Sequence, residues 1–175
     1  MKHTGIKAGL TALLLLGMVL AFAQESAGEL AEPVVVVLDA FVVETVTNDD
    51  GEEEETFTEA TEARPGQVVE YRVTATNEGE TTLPAGNVVV TGPVPEGTVY
   101  LADSAATEAE VSTTFSADGG ETFSAPPVMI MVENDDGEEE EVEAAPEQYT
   151  AVRWSVERAL EPEESLNFSY RVTVE

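Results

Sequence analysis

The chain has 175 residues, of which 36 are acidic and seven are basic, and it contains no cysteine. Without cysteine there is neither a disulfide framework nor a cysteine-linked lipid, so an apolar core must stabilise the fold. The formal net charge of −29 argues against binding to nucleic acid or to an anionic membrane surface, because an acidic protein repels their phosphate groups.

The first 23 residues have the three parts of a secretory signal: a basic start, an apolar core over residues 10–20 and a small-x-small end at 21–23. A retained membrane anchor is the competing interpretation. The apolar run is short for one, because a hydrocarbon core of about 30 Å requires roughly 20 residues. We therefore expect cleavage after residue 23, a flexible lead-in over 24–32, and no membrane insertion after cleavage. The expected location is secreted or periplasmic, at the cell envelope or outside the cell.

Residues 24–175 contain five arginines but no lysine, histidine or cysteine, and their formal charge is 5 − 36 = −31. This composition excludes Ser-His-Asp and Cys-His nucleophiles, Schiff-base lysines and zinc sites built from His or Cys. Only carboxylate chemistry remains, as in glycosidases or acid proteases, and the acids show no catalytic motif. We expect no enzymatic activity, no catalytic residue and no cofactor; a carboxylate-based hydrolase is the remote alternative.

The first expected strand covers residues 34–47, and its Val-rich run favours burial on both faces for part of its length. A turn follows at 48–51. There the pair Asp-Gly is typical of a two-residue hairpin turn with positive φ at both central positions. The return strand is expected over 52–59. This hairpin should add strands to one sheet of the domain, which we place at 33–175.

Strict alternation of apolar and polar residues marks two further strands, at 67–76 and 165–175. Both contain the tetrapeptide Tyr-Arg-Val-Thr, at 71–74 and at 170–173. Their arginines are expected to face solvent as counter-charges to neighbouring acidic strands, each exposed pair contributing about 0.2–1 kcal/mol.

Trp154 alternates with Val152 and Val156, which favours a place in the core over a role as a ligand platform. The prolines after the strand at 87–91 place that strand at a sheet edge or a crossover. The remaining expected strands lie at residues 98–101, 110–116, 128–133 and 149–157. Many short strands with regular turn signals indicate an antiparallel sandwich.

The sequence Asn-Asp-Asp-Gly-Glu-Glu-Glu-Glu occurs twice, at 48–55 and at 134–141. Clustered carboxylates suit calcium, although the spacing does not fit an EF-hand loop. The alternative is a pair of solvated hairpin tips whose charges protect a strand edge from aggregation. If calcium binds weakly here, the candidate ligands are Asp49, Asp50, Glu52, Asp135, Asp136 and Glu138.

Residues 116–123 fit the Asp-box pattern Ser-x-Asp-x-Gly-x-Thr-aromatic, which sialidase-like propellers contain. In those proteins the motif is a local hairpin without a catalytic role. We expect the same structural role here, with Ser116 and Asp118 bonded to the local backbone and Phe123 packed beneath them.

Residues 65–79 resemble the opening "PG-x-x-V-x-Y-x-(I/V)-T-x-x-N-x-G" of a bacterial conserved-repeat domain, the domain-of-unknown-function-eleven family. Residues 87–100 are similar to its "N-V-x-V-x-D-x-(L/V)-P-x-G-x-x-Y", with Gly92 in place of the usual Asp. The segment 160–166 is similar to its closing "L-x-P-G-x-S", with Glu163 in place of Gly. The resemblance covers 64–175 and implies an immunoglobulin-like sandwich of secreted and cell-surface proteins. The family has no established binding residues to carry over.

The sequence thus predicts an all-β protein, an immunoglobulin-like antiparallel β-sandwich with an extra N-terminal hairpin. Its expected function is that of a non-enzymatic structural or interaction module at the cell envelope. The expected partner is a protein or another envelope component, bound at sheet edges or end loops. The alternative is a calcium- or cation-binding envelope protein that acts through the two acidic tips.

Overall fold

The computed structural model describes residues 34–134 and 137–175, and this part of the chain is built from antiparallel strands. The larger sheet has the strand order β2-β1-β3-β11-β5, and β6 also pairs with β11. Its strands are β1 (Val34–Thr47), β2 (Glu53–Glu59), β3 (Val68–Asn77), β5 (Thr98–Tyr100), β6 (Ala106–Thr107) and β11 (Ser165–Val174).

The smaller sheet has the order β4-β10-β7, and a separate two-stranded sheet is formed by β8 and β9. These strands are β4 (Val89–Pro93), β7 (Val111–Ser116), β8 (Met129–Glu133), β9 (Glu139–Glu143) and β10 (Ala151–Val156). One short 3₁₀ turn, Pro146–Gln148, precedes β10. The predicted all-β sandwich is confirmed. Of the two alternatives predicted for the strand before the prolines, β4 is a sheet edge, and it extends to Pro93. The strands β6 and β9 and the 3₁₀ turn are not among the elements that the sequence predicts.

The predicted signal (1–23) and lead-in (24–32) lie outside the described residues. Within the described ranges, no helix has the length and apolar character needed to cross a membrane.

The core lies between β10 of the smaller sheet and β11 of the larger one. Trp154 on β10 is fully buried, as predicted, and so are its neighbours Val152 and Val156. The indole ring lies 5.2 Å from the ring of Phe168 and 6.1 Å from that of Tyr170, centroid to centroid. Period-two alternation on both strands therefore supplies the two inner faces of the sandwich.

The two Tyr-Arg-Val-Thr segments lie side by side, because β3 and β11 are antiparallel neighbours. Tyr71 is directly opposite Tyr170, and their rings stack with centroids 5.1 Å apart. The predicted alternation is confirmed on both strands. The arginines at 72 and 171 consequently lie on the opposite, outer face of the sheet.

The N-terminal hairpin joins the larger sheet through β1, as predicted. β1 pairs with β3 from Val34 to Val43 but with β2 only from Phe41 to Thr47. The expected burial of the Val run on both faces is wrong, because this half of β1 is a sheet edge. The four side chains from Val35 to Leu38 are 38–53% exposed.

The turn after β1 also differs from the two-residue turn that its Asp-Gly pair favours. The amide of Gly51 donates to the carbonyl of Asn48 at 3.0 Å, and Gly51 has a φ of 80° whereas Asp50 does not have a positive φ. This is a type I turn followed by a left-handed glycine. The carboxamide oxygen of Asn48 stabilises it by accepting the amides of Asp50 and Glu52 at 3.1 and 2.9 Å.

Gly92 on β4 makes room for a core side chain. A Cβ atom at this position would overlap Cε1 of Tyr170, whose ring is fully buried. The hydroxyl of Tyr170 donates to the carbonyl of Pro93, and burial raises the pKa of this phenol. The departure from the family pattern at position 92 therefore has a packing reason.

We expect Gly92→Ala to lower the free energy of unfolding by about 1–3 kcal/mol, because the methyl group overpacks the core. Urea denaturation of the variant measures this loss. In a Tyr170→Leu background the added methyl has room, so the cost of Gly92→Ala should shrink. An equal cost in both backgrounds would contradict the packing explanation.

Candidate functional site

Among the described strands, the first five residues of β1 (34–38) form an open sheet edge, hereafter the β1 edge. The last bond between β1 and the segment after β2 is donated by the amide of Ala60 to the carbonyl of Ala40 at 2.8 Å. Successive residues of a strand turn their backbone groups to opposite sides. Residues 34, 36 and 38 therefore direct their N–H and C=O groups as Ala40 does, away from β3. Among the described residues, no strand pairs with this side of the β1 edge.

The side chains of the β1 edge are apolar on both faces. Val36 and Leu38 share the face of the buried Val42 and are 53% and 48% exposed, and Val35 and Val37 occupy the outer face. Sheet edges in monomeric proteins are usually protected by charges, prolines or bulges. A row of exposed apolar side chains, with backbone groups that no described strand pairs, is therefore a template for an added strand.

Exposed acidic side chains stand at the two ends of the β1 edge. Asp39 follows its last residue on β1. At the other end, Val34 is paired with Asn77, and Glu78 follows Asn77 along the chain. The ion pairs of the described residues include neither of these carboxylates. The β1 edge is thus an apolar strip with an exposed carboxylate at each end, and Asp39 has Arg72 as its neighbour across β3.

A groove of about 860 Å³ adjoins the edge on the outer face of the larger sheet. Asp39, which follows the last residue of the β1 edge, lines this groove. Thr74 and Asn167 lie across adjacent strands in the groove, where the hydroxyl of Thr74 donates to the carboxamide oxygen of Asn167 at 3.0 Å. Arg158 also lines the groove, and its guanidinium donates to Glu164 at 2.6 Å. The hydrogen bond from Arg158 lowers the pKa of the Glu164 carboxyl.

A four-charge network ties β2, β3 and β11 together on the same outer face. Glu70 is 7% exposed and accepts hydrogen bonds from Nε of Arg72 at 2.7 Å and from Nε of Arg171 at 2.8 Å. Arg171 also donates both terminal nitrogens to the two carboxylate oxygens of Glu55, at 2.8 and 2.7 Å. The bond from Arg171 lowers the pKa of Glu55. Both arginines act as counter-charges, as predicted, but the expectation of exposed pairs with neighbouring strands is wrong in part: Arg72 pairs with Glu70 of its own strand, and the side chains of Arg171 and Glu70 are only 25% and 10% exposed.

Arg72 also attaches the N-terminal hairpin to the sheet. Its guanidinium lies 4.6 Å from the ring centroid of Phe41 on β1 and 4.4 Å from that of Phe57 on β2. A guanidinium over an aromatic face is attracted to it by about 0.5–1 kcal/mol at exposed sites. The pairing partners of β1 are therefore held in place beside the open edge.

The candidate cation ligands are only partly described. Asp49, Asp50 and Glu52 lie in the exposed turn between β1 and β2, and Glu138 follows the second tip. Within residues 34–134 and 137–175, no three Asp or Glu side chains are arranged to hold a metal ion. Asp135 and Asp136 lie outside the described residues. Calcium binding at the tips stays a prediction.

The Asp-box segment forms the predicted local turn. The hydroxyl of Ser116 donates to Asp118 at 2.7 Å and accepts the amide of Gly120 at 2.9 Å, and Asp118 accepts the amide of Thr122 at 2.9 Å. Hydrogen bonds from Thr122 and Ser116 hold the pKa of Asp118 well below its usual range. The ring of Phe123 is half-buried, with the guanidinium of Arg153 3.4 Å from its centroid.

Comparison with models of known protein families, with curated proteins and with solved structures finds no match to this chain. The likeness to the bacterial conserved-repeat family rests on the motifs quoted above.

The β1 edge was not identified from the sequence as a functional feature. A signal was present in the unequal lengths of the expected strands, because the shorter return strand at 52–59 cannot cover all of the strand at 34–47. The apolar composition alone pointed to burial instead.

We expect Glu70→Gln to lower the free energy of unfolding by roughly 2 kcal/mol, because two charge-assisted hydrogen bonds lose their ionised acceptor. Chemical denaturation at pH 7 measures the change. Glu59→Gln is the matched control, since Glu59 is an exposed carboxylate on β2 outside the ion pairs of the described residues. Its effect should stay within about 0.5 kcal/mol. Equal effects of the two variants would show that the network does not stabilise the fold.

We expect Asp118→Asn to lower the melting temperature at pH 7. The pKa of Asp118 is lower in the folded protein than in the unfolded chain. Its stabilising contribution is therefore complete above the unfolded pKa of about 3.9 and disappears as the pH falls through the folded value. Melting curves of both proteins between pH 7 and acid should converge at the acid end. A constant difference at every pH would contradict this origin.

Proposed function

We propose that this protein is an exported, non-enzymatic interaction module of the cell envelope, and that it binds its partner at the β1 edge. The observation that carries the proposal is the exposure of four consecutive apolar side chains on a strand whose outer backbone groups lack a strand partner among the described residues. Contiguous exposed apolar surface marks interaction sites in soluble proteins.

The composition supports a binding role over a catalytic one. Residues 24–175 contain no lysine, histidine or cysteine, which leaves carboxylates, hydroxyls and guanidinium groups for chemistry. The strongly shifted carboxylate, Asp118, is occupied by hydrogen bonds to its own turn. The low pKa of Asp118 therefore follows from hydrogen bonds that stabilise the turn and does not indicate a catalytic role.

The architecture supports a rigid platform for binding. The outer-face network around Glu70 fixes the strands next to the β1 edge, and Trp154 fixes the two sheets against each other. Edges that are held rigidly lose little entropy when a partner binds. We include an immunoglobulin-like arrangement and membership of the bacterial conserved-repeat family in the proposal, on the motifs at 65–79, 87–100 and 160–166.

A carbodiimide applied to intact producing cells tests the proposal, because it joins carboxylates of this protein to lysine amines of a bound neighbour. Residues 24–175 contain no lysine, so one copy offers another copy only its terminal amine. We expect an adduct of defined mass with the wild-type protein and its loss in the double variant Val36→Thr, Leu38→Thr. Intact-mass measurement of the same sample reports whether the chain begins after residue 23, as export requires.

Val89→Thr is the control for this experiment, since Val89 lies on the edge strand β4 of the smaller sheet and is 50% exposed. It should leave the adduct unchanged. An adduct that persists in the double variant, or the failure of any adduct to form, would contradict binding at the β1 edge.

A further inference from the structure

We infer that the occupant of the β1 edge is an extended peptide segment of a partner protein, apolar at its centre and flanked by lysine or arginine, that adds one strand to the larger sheet. This inference rests on the proposed function and specifies the partner's chemistry. It follows from the backbone geometry of the edge, from its side chains and from its charges.

The backbone geometry calls for a strand. Residues 34, 36 and 38 present N–H and C=O groups on the side away from β3, at the spacing of every second residue. An added strand would pair with these groups as β2 pairs with the other half of β1. Main-chain hydrogen bonds of this kind supply affinity in peptide recognition by strand addition. A helix or a globular surface would leave these backbone groups without partners.

The side chains select an apolar centre for that strand. A neighbour's side chains at the same level would contact Val36 and Leu38 on one face and Val35 and Val37 on the other. Because apolar neighbours are present on both faces, apolar or β-branched residues in the added segment would bury surface on either side of the sheet.

The charges favour a basic segment over a second copy of this chain. Each copy carries a formal charge of −29, and the ends of the edge carry Asp39 and Glu78. Two copies paired at this edge would bring two strongly negative surfaces together, since the chain has only seven basic residues against 36 acidic ones and Arg72 is the one beside Asp39. Lysine or arginine on either side of an apolar centre would instead lie near the flanking carboxylates.

The probe is a fluorescein-labelled synthetic peptide in which a Val-Thr-Val-Thr-Val centre is flanked by two lysines on each side. A second peptide carries glutamates in place of the lysines, and a third carries N-methyl groups on every central amide, so that neither edge of the peptide can donate. Anisotropy with the purified protein should show saturable binding of the lysine peptide that weakens with added salt. The glutamate peptide should not bind. N-methylation should weaken binding by about tenfold or more, because it removes two or three backbone hydrogen bonds.

Amide hydrogen exchange locates the bound strand. Addition of the lysine peptide should slow exchange at the amides of Val36 and Leu38. Val36→Pro removes one outward donor that does not bond to β3, so the variant should fold and bind the peptide more weakly. Thermal melts followed by circular dichroism check folding. Val89→Thr is again the control, with unchanged affinity.

Four results would overturn the inference. The first is that the glutamate or N-methylated peptide binds as tightly as the lysine peptide, and the second is that Val36→Pro binds the lysine peptide normally. The third is that sedimentation shows the protein alone to be a dimer that Val36→Pro dissociates. The fourth is that the Val36 and Leu38 amides are already protected in the monomer, because a segment of the chain itself occupies the edge. If the adduct in cells requires the β1 edge but the lysine peptide does not bind, strand addition is rejected and the proposed function still holds. Loss of both would reject both.

Discussion

The rest of the larger sheet depends on the antiparallel pairing of β3 with β11. On the inner face it stacks Tyr71 on Tyr170 and positions Tyr170 and Phe168 against Trp154. On the outer face the same register sets Arg171 opposite Glu70. One strand pair therefore organises an apolar layer on one side and a charged layer on the other, as period two requires.

The open edge is a consequence of how this pair is extended. β3 offers its free side to β1 over ten residue pairs, from Val34–Asn77 to Val43–Val68. β2 follows β1 only as far as Phe41 before the chain turns toward β3. The charged and aromatic contacts of Arg72 and Arg171 hold β2 at that position. The length of β2 and those contacts together leave residues 34–38 without a neighbour among the described strands.

Most of the strand layout could be predicted, because alternation and turn residues are local properties of the sequence. The burial of Trp154 and the local hydrogen bonds of the Asp-box turn follow from such patterns. The exposure of the Val run could not be predicted in the same way, since an apolar strand looks alike whether a neighbour covers it or not. The two-residue turn predicted from the Asp-Gly pair is wrong, because the carboxamide of Asn48, two positions before that pair, stabilises a different turn type. The two hydrogen bonds of Glu70 depend on the register between β3 and β11, which only the folded chain reveals.

The placement of the arginines bears on how the protein withstands proteases that cut after basic residues. Beyond residue 23 such enzymes find no lysine and only five arginines. Arg72, Arg153 and Arg171 are inside strands, where the backbone is committed to ladders. The exposed Arg64 precedes Pro65, whose tertiary amide such enzymes cleave poorly, and the guanidinium of Arg158 is held by Glu164. The folded chain beyond residue 23 therefore offers few accessible cleavage sites to proteases of this specificity.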